Sequence, residues 1–369
     1  MMDSACGEWN LDHRETVRQF KNYLLSNCRE ELLKVMKESG MTQLSVPKEY
    51  GGAGIDLLTG ALISEQLSKG CAGVATICAA NSLASFPILF AGSDMQKRDL
   101  FDCLNRGGMA CFALTEPGAG SDAGAVSCRA EKVEGGYILN GTKCFITNAP
   151  IADKITLFAN TREGGGIRGL TVFLVDADTK GISIGKEEDK MGIRASATAE
   201  IIFEDCFVPD SARVGKEGRG FMIAMQTLQM SRPVVAAISV GIAQAAIEAA
   251  VAYSHHRKQF GVKIATFEMV QQMIADMVMK TEAARILTYK ACVAQMNKDK
   301  KAGLYSAMSK CFASDTAMEV TTTAVQVMGG NGYSRENPVE KYMRDAKIMQ
   351  IYEGTNQVQR LVIANEATF

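Results

Sequence analysis

Near the C-terminal end of the chain, Met349-Gln350-Ile351-Tyr352-Glu353-Gly354-Thr355-Asn356-Gln357 sets one carboxylate between an apolar run and a Gly-Thr pair able to open a helix. A glutamate so placed is half shielded from water, which disfavours its charged form and makes it a better proton acceptor near neutral pH. Gly354 lets the backbone pass close to a ligand without a clashing Cβ. Taken alone, the segment is better explained by a first-turn glutamate resting on a helix dipole. The rest of the chain reverses that preference.

Three further stretches carry chemistry. Ala113-Leu114-Thr115-Glu116-Pro117-Gly118-Ala119-Gly120-Ser121-Asp122-Ala123-Gly124-Ala125 is built of small residues with two hydroxyls. That composition suits a backbone wrapped around a flat, polar ligand carrying phosphates, although a turn between strands has a similar one. In Lys143-Cys144-Phe145-Ile146-Thr147-Asn148-Ala149 the aromatic and the hydroxyl stand two places apart. On a strand both then share one face, able to stack on and hydrogen-bond to the same ring. Gln326-Val327-Met328-Gly329-Gly330-Asn331-Gly332-Tyr333 ends one helix in a Gly-rich turn and begins the next, a place for close backbone approach to an anion. Residues 46–54 are also Gly-rich but lack the Lys-Ser/Thr ending of a P-loop, and read as a connection.

The elements that must position these stretches fall into three blocks. Residues 1–108 read as helical: Leu24, Leu25, Leu32, Leu33 and Met36 recur at helical spacing, and Ala72 to Phe90 is apolar with a break expected at Pro87. Residues 109–214 alternate short β-type runs with Gly-rich turns, and Asn140-Gly141 is a strong hairpin signal. They predict a small antiparallel β domain, and the absence of Gly-x-Gly-x-x-Gly after a strand disfavours a Rossmann domain. Residues 215–369 return to long helical segments, with a bend expected at Pro233, and short connections imply a four-helix bundle. The fold class is α+β in the order helical, β, helical.

Composition narrows the function. A chain of 369 residues exceeds one hydrophobic core, and a formal net charge of −1 gives no reason to expect nucleic acid or an anionic membrane as partner. No apolar run reads as a spanning helix, and Met1 to Asn10 lacks the features of a signal or transit peptide. The expected compartment is the cytoplasm, or the mitochondrial matrix for a processed eukaryotic protein. Eleven cysteines without a Cys-x-x-Cys pair read as reduced, buried small hydrophobes. His13, His255 and His256 are the only histidines, and the latter two diverge by about 100° on a helix, so no metal site or histidine triad is expected.

Together these spacings resemble the acyl-CoA dehydrogenase family over nearly the whole chain. Residues 113–125 match one family signature; Gln326, Gly329, Gly330, Gly332, Tyr333, Glu336, Lys341 and Asp345 match the other in order. The resemblance implies FAD as cofactor, contacted by Leu114, Thr115, Gly120 and Ser121, with Thr147 near the reactive flavin nitrogen. Phe145 stands where many relatives have Trp. Arg257 and Phe260 match residues that reach the FAD of a neighbouring subunit. Gln326, Gly329 and Gly330 match a cradle for its adenosine half, completed by Thr355 and Gln357. Glu268 replaces a cofactor-binding Gln of relatives.

Glu353 matches the catalytic base. Some relatives carry that glutamate on an earlier helix, where this chain has Ser231, so no rival base stands there. Ser121, Gln229, Ser231, Arg232, Tyr352 and Gly354 are the matching substrate contacts, and residues 74–86 match the helix lining the acyl pocket. Relatives acting on glutaryl-CoA have Arg at the position of Val74, so dicarboxylic acyl-CoAs are expected to be poor substrates. The implied reaction is α,β-dehydrogenation of an acyl-CoA, with electrons passed to an electron-transfer flavoprotein, by a homo-oligomer, expected to be a tetramer. Enoyl-CoA reduction in the reverse direction and an oxidase-like flavoenzyme are the alternatives; retention of Glu353 argues against a monooxygenase.

Overall fold

The computed structural model describes residues 28–368; His13, Leu24 and Leu25 lie outside them. Three helices come first: α1 (Cys28–Glu38), α2 (Leu57–Ala91) and α3 (Asp94–Asn105). Asp56 caps α2 by accepting the Thr59 N–H at 2.7 Å, and Ser93 with Gln96 forms a capping box at α3. The break expected at Pro87 does not occur. Pro87 is buried inside α2, and the helix is interrupted instead at Cys71, where φ is −157° and ψ 112°.

An eight-stranded sheet follows: β1 (Ala110–Ala113), β2 (Arg129–Val133), β3 (Gly136–Thr147), β4 (Lys154–Asn160), β5 (Leu170–Asp176), β6 (Ile182–Glu187), β7 (Thr198–Pro209) and β8 (Arg213–Val214). Its order is β6-β7-β3-β2-β4-β5-β8, with β1 joined to β4. Most pairings are antiparallel as expected, but β1 runs parallel to β4, from Ala110 opposite Lys154 to Ala113 opposite Leu157. The sheet is therefore mixed. Asn140-Gly141 does not make the hairpin turn either. The turn of β2–β3 is Glu134-Gly135, while Asn140 and Gly141 lie inside β3 at a register shift against β7. Asn140 there exchanges hydrogen bonds with Asp205, and a Cβ on Gly141 would meet the Cys128 Cα at 2.8 Å, so close packing explains this glycine.

The chain ends in α4 (Gly220–His256), a two-stranded hairpin of β9 (Lys258–Gln259) and β10 (Val262–Lys263), α5 (Glu268–Met296), α6 (Ala302–Met328), the single turn α7 (Gly330–Tyr333), α8 (Val339–Met349) and α9 (Asn356–Thr368). The bundle is thus three long helices, α4 to α6, closed by the shorter α8 and α9. Helix α4 runs through Pro233, which lacks the N–H that would bond to the Gln229 carbonyl. Gln295 on α5 fills that gap, donating from Nε2 to Gln229 O at 3.2 Å.

Two cores share two helices. Ala84 and Ile88 of α2 and Ile223 and Ala224 of α4 belong to the core under the sheet. Ala72 and Ala75 of α2 and Val235 to Ala250 of α4 belong to the core of the bundle. Contrary to expectation, both helices are long and apolar enough to cross a membrane, by length and composition alone. In the most apolar window of α4, 78% of the residues are buried against the rest of the protein. Between the two cores, where α2 and α4 pass from one to the other, the packing leaves a cavity.

Candidate active site

The turn joining α8 to α9 carries Glu353 to that cavity. Glu353 has φ of 54° and Gly354 of 90°. A left-handed glutamate costs about 1–3 kcal/mol and persists only where its surroundings impose it. Here they do. Asn356, buried at the start of α9, donates its N–H to Gln350 O at 3.0 Å and its Nδ2 to Asp315 Oδ1 at 2.7 Å. Gln359 Nε2 donates to the carbonyls of Glu353 at 3.2 Å and Gly354 at 3.0 Å, and a Cβ on Gly354 would lie 2.5 Å from it. Lys310 of α6 donates to Gly354 O at 2.8 Å. Among the described residues the Glu353 N–H meets no acceptor.

The Glu353 carboxylate accepts a hydrogen bond from the Ser231 hydroxyl on α4. Burial raises its pKa; the Ser231 hydrogen bond and the positive charges of Lys310 and Arg232 pull the other way without overcoming it. Arg232 is 5% exposed, and its Nε has no hydrogen-bond partner. Burial lowers its pKa against the pull of Glu353 and Glu366. A proton acceptor, an unbonded backbone N–H and an incompletely partnered cation thus converge on one cavity wall.

The cavity measures about 340 Å³, and Leu114, Thr115, Gly120, Ser121, Phe145, Thr147, Arg232, Tyr352, Glu353 and Gly354 all line it. Ten of the residues read from sequence are brought together there. The geometry of Phe145 differs from expectation. Phe145 has φ of 56° at a register shift between Lys143 and Ile146, so the simple alternation of a strand does not govern where it and Thr147 point. Both reach the cavity, and Phe145 remains 65% exposed, an aromatic surface with room for a flat ring. Below the Thr115 loop, Lys143 donates to Leu114 O at 3.0 Å and to Glu116 Oε1 at 2.6 Å, while the Cys144 N–H holds Thr115 O at 2.9 Å. Open space faces Gly118 and Gly120. Hydroxyls, an exposed aromatic and unobstructed glycines fit a flavin.

Other expected residues lie elsewhere. Ser231 bonds to the Glu353 carboxylate rather than lining the cavity. Gln229 lies outside it, with its amide beside Gly303 of α6, because a helix that turns Leu228, Arg232 and Val235 to the cavity turns residue 229 away. Thr355 caps α9, accepting from Val358 N–H at 3.2 Å, and Gln357 is exposed on α9. Arg257 and Phe260 follow α4, and Gln326, Gly329 and Gly330 end α6. These ends meet through Asn331 Nδ2 and the Tyr253 hydroxyl at 2.5 Å. Tyr253 lies about 30 Å along α4 from Arg232, by the rise per residue. Val74 does not line this cavity and packs beside Met36, Ile77 and Cys78. A second cavity of about 510 Å³ shares Ala79 with the first.

A sheet between two helical regions, with a half-buried glutamate of raised pKa at their seam beside a cavity that fits a flavin, defines a flavin-dependent oxidoreductase. The N-terminal, middle and C-terminal domain models of acyl-CoA dehydrogenases match residues 13–107, 111–206 and 218–368. A probable acyl-CoA dehydrogenase of Mycobacterium tuberculosis is 45% identical over 91% of this chain and 86% of its own. The short-chain specific mitochondrial enzyme of Rattus norvegicus is 45% identical over 90% and 81%. Butyryl-CoA dehydrogenase from Megasphaera elsdenii superposes with a TM-score of 0.89 at 41% identity, covering 98% of this chain and 100% of that one. The chain belongs to the acyl-CoA dehydrogenase family.

Proposed function

We propose that this acyl-CoA dehydrogenase desaturates a short or medium acyl-CoA at its α,β bond, with Glu353 as the base and an electron-transferring flavoprotein as electron acceptor. The observation that carries the reading is Glu353 itself, a carboxylate held in a left-handed turn, with its pKa raised and its own N–H unbonded. Glu353 takes the α proton, and its N–H donates to the thioester oxygen as negative charge develops there. Thr115, Ser121, Phe145 and Thr147 line the cavity where they would hold FAD, which would supply a hydride acceptor. Leu228, Val235 and Tyr352 help keep water from the base, which favours proton transfer.

The partner reading is supported by a chain 44% identical, with a TM-score of 0.89, in a structure described for the electron transferring flavoprotein of Acidaminococcus fermentans. A homotetramer is supported by Met279, Ile286 and Val293, a seven-residue stripe along α5 left 61%, 67% and 41% exposed. The stripe offers an apolar surface to another copy, whose Arg257 and Gln326 regions would serve a cofactor that the cavity alone does not span. An oxidase reading is favoured by one likeness, a prolyl acyl carrier protein oxidase 32% identical with a TM-score of 0.88.

The test is anaerobic mixing of the FAD-loaded protein with saturated acyl-CoAs from butyryl to octanoyl. Flavin bleaching is expected; no bleaching by any acyl-CoA overturns the reading. Fast reoxidation of the bleached enzyme by oxygen, with none by the flavoprotein, would select the oxidase.

A further inference from the structure

Helix α6 buries a lysine where stability alone would favour an apolar side chain. Along its inner face Gly303, Ala307, Lys310, Ser314, Ala317, Thr321 and Ala324 recur at alternating steps of four and three, all buried. Only Lys310 in that stripe is charged. It is wholly buried, yet no carboxylate lies within ion-pair distance of its ammonium among the described residues. A buried cation without such a partner is costly, so its retention points away from fold stability. Its Nζ instead donates to Gly354 O at 2.8 Å and to Asn356 Oδ1 at 2.9 Å, grasping the Glu353 turn on both sides.

We propose that Lys310 is a positioning residue for Glu353: its ammonium locks the left-handed turn and holds positive charge behind the carboxylate that takes the substrate's proton. The proposal rests on Glu353 being the base. The direction of the field follows from the groups around Lys310. Glu353 faces it from the turn, Arg232 from α4, and Cys311 and Asp315 from α6 itself. Asp315 is occupied elsewhere, accepting from Asn356, Gln350 and Arg360, the last two at 2.6 Å each. Arg232 is cationic, so the charge of Lys310 is left to act on Glu353. Burial lowers the Lys310 pKa to about 8 even with Glu353 pulling it up, so the ammonium persists at neutral pH. Two donated hydrogen bonds fix the backbone, and the charge keeps the base ionised between turnovers. An ion pair in contact would do the second at the expense of basicity.

The experiment compares wild type, Lys310→Gln and Lys310→Met as FAD-loaded proteins. Lys310→Gln keeps a donor but removes the charge; Lys310→Met removes charge and donors while keeping the apolar length, so one of the two stays informative where the other misfolds. Three readouts are taken: FAD per chain, the pH profile of anaerobic flavin bleaching by butyryl-CoA, and infrared titration of the Glu353 carboxyl. Both variants are expected to retain FAD and butyryl-CoA binding. The acidic limb of the bleaching profile and the carboxyl titration should both move up by about one unit, with about tenfold slower bleaching at neutral pH. Unshifted profile and titration in both variants would overturn the proposal, as would losses confined to FAD retention and melting temperature. If wild type itself is not bleached, the Glu353 reading fails first, and the infrared titration still reports whether Lys310 acts on that carboxyl.

Discussion

Glu353 lines the cavity half-buried, Glu116 is buried next to Thr115 of the same cavity wall, and their pKa values move in opposite directions. Burial pushes both up. At Glu116 that push is outweighed by the Lys143 ammonium, by hydrogen bonds from Lys143 and the Ser127 hydroxyl, and by the Ser127 and Cys128 N–H groups. At Glu353 one hydroxyl bonds to the carboxylate while the nearby cations stand back: Lys310 turns to carbonyls and Arg232 forms no ion pair among the described residues. A glutamate saturated with donors is suited to hold structure, and one kept short of them is suited to accept a proton.

The largest expected effect separates the two glutamates by rate. Glu353→Gln should slow anaerobic flavin bleaching by about 10²–10⁴-fold while FAD and acyl-CoA still bind; Glu116→Gln should leave bleaching near normal in the molecules that fold. Near-normal bleaching in Glu353→Gln would mean that another group takes the proton.

Stability should sort them the other way. Breaking the buried pair by Lys143→Met or Glu116→Gln costs about 3–5 kcal/mol in denaturant unfolding, because one charge is left without its partner. Glu353→Gln should instead raise the melting temperature at pH 7. The signs follow from linkage. The lowered pKa of Glu116 gives stability that is present above its unfolded value and lost as pH falls through its folded value. The raised pKa of Glu353 makes its charged form a burden at neutral pH, relieved as pH falls through its folded value. A Glu353→Gln protein less stable than wild type at pH 7 would break the comparison.

The smallest effect sharpens it. Ser231→Ala removes the one hydroxyl that favours the charged form of Glu353. The acidic limb of the bleaching profile should then move to higher pH, with a loss of about 1.5–3 kcal/mol for a hydrogen bond to a charged group. An unmoved limb would show that Ser231 only fills space.

The sequence made Glu353, the loop at 113–125 and the α+β order legible, because each rests on residue types at short spacing or on hydrophobic periodicity. What it hid is tertiary. Ser231 was visible as a substrate contact and as the absence of a second base, not as a partner of Glu353, since nothing local tells which helix face meets the Glu353 turn. Phe145 adopts a left-handed conformation that phenylalanine does not advertise, so a bulge was missed there, while Asn140-Gly141 advertised a turn that close packing against Cys128 explains instead. Lys310 did leave a signal: a lone cation in a stripe of Gly, Ala, Ser and Thr at helical spacing.

The central claim, that Glu353 is starved of donors and Glu116 saturated, is tested most directly by titrating both carboxyls in the same folded protein. Infrared difference spectra across pH, for wild type, Glu353→Gln and Glu116→Gln, assign each band by its loss. The account predicts that the band lost in Glu353→Gln titrates above the usual carboxylate range and the band lost in Glu116→Gln below it. Two bands titrating together, or in the reverse order, would contradict it.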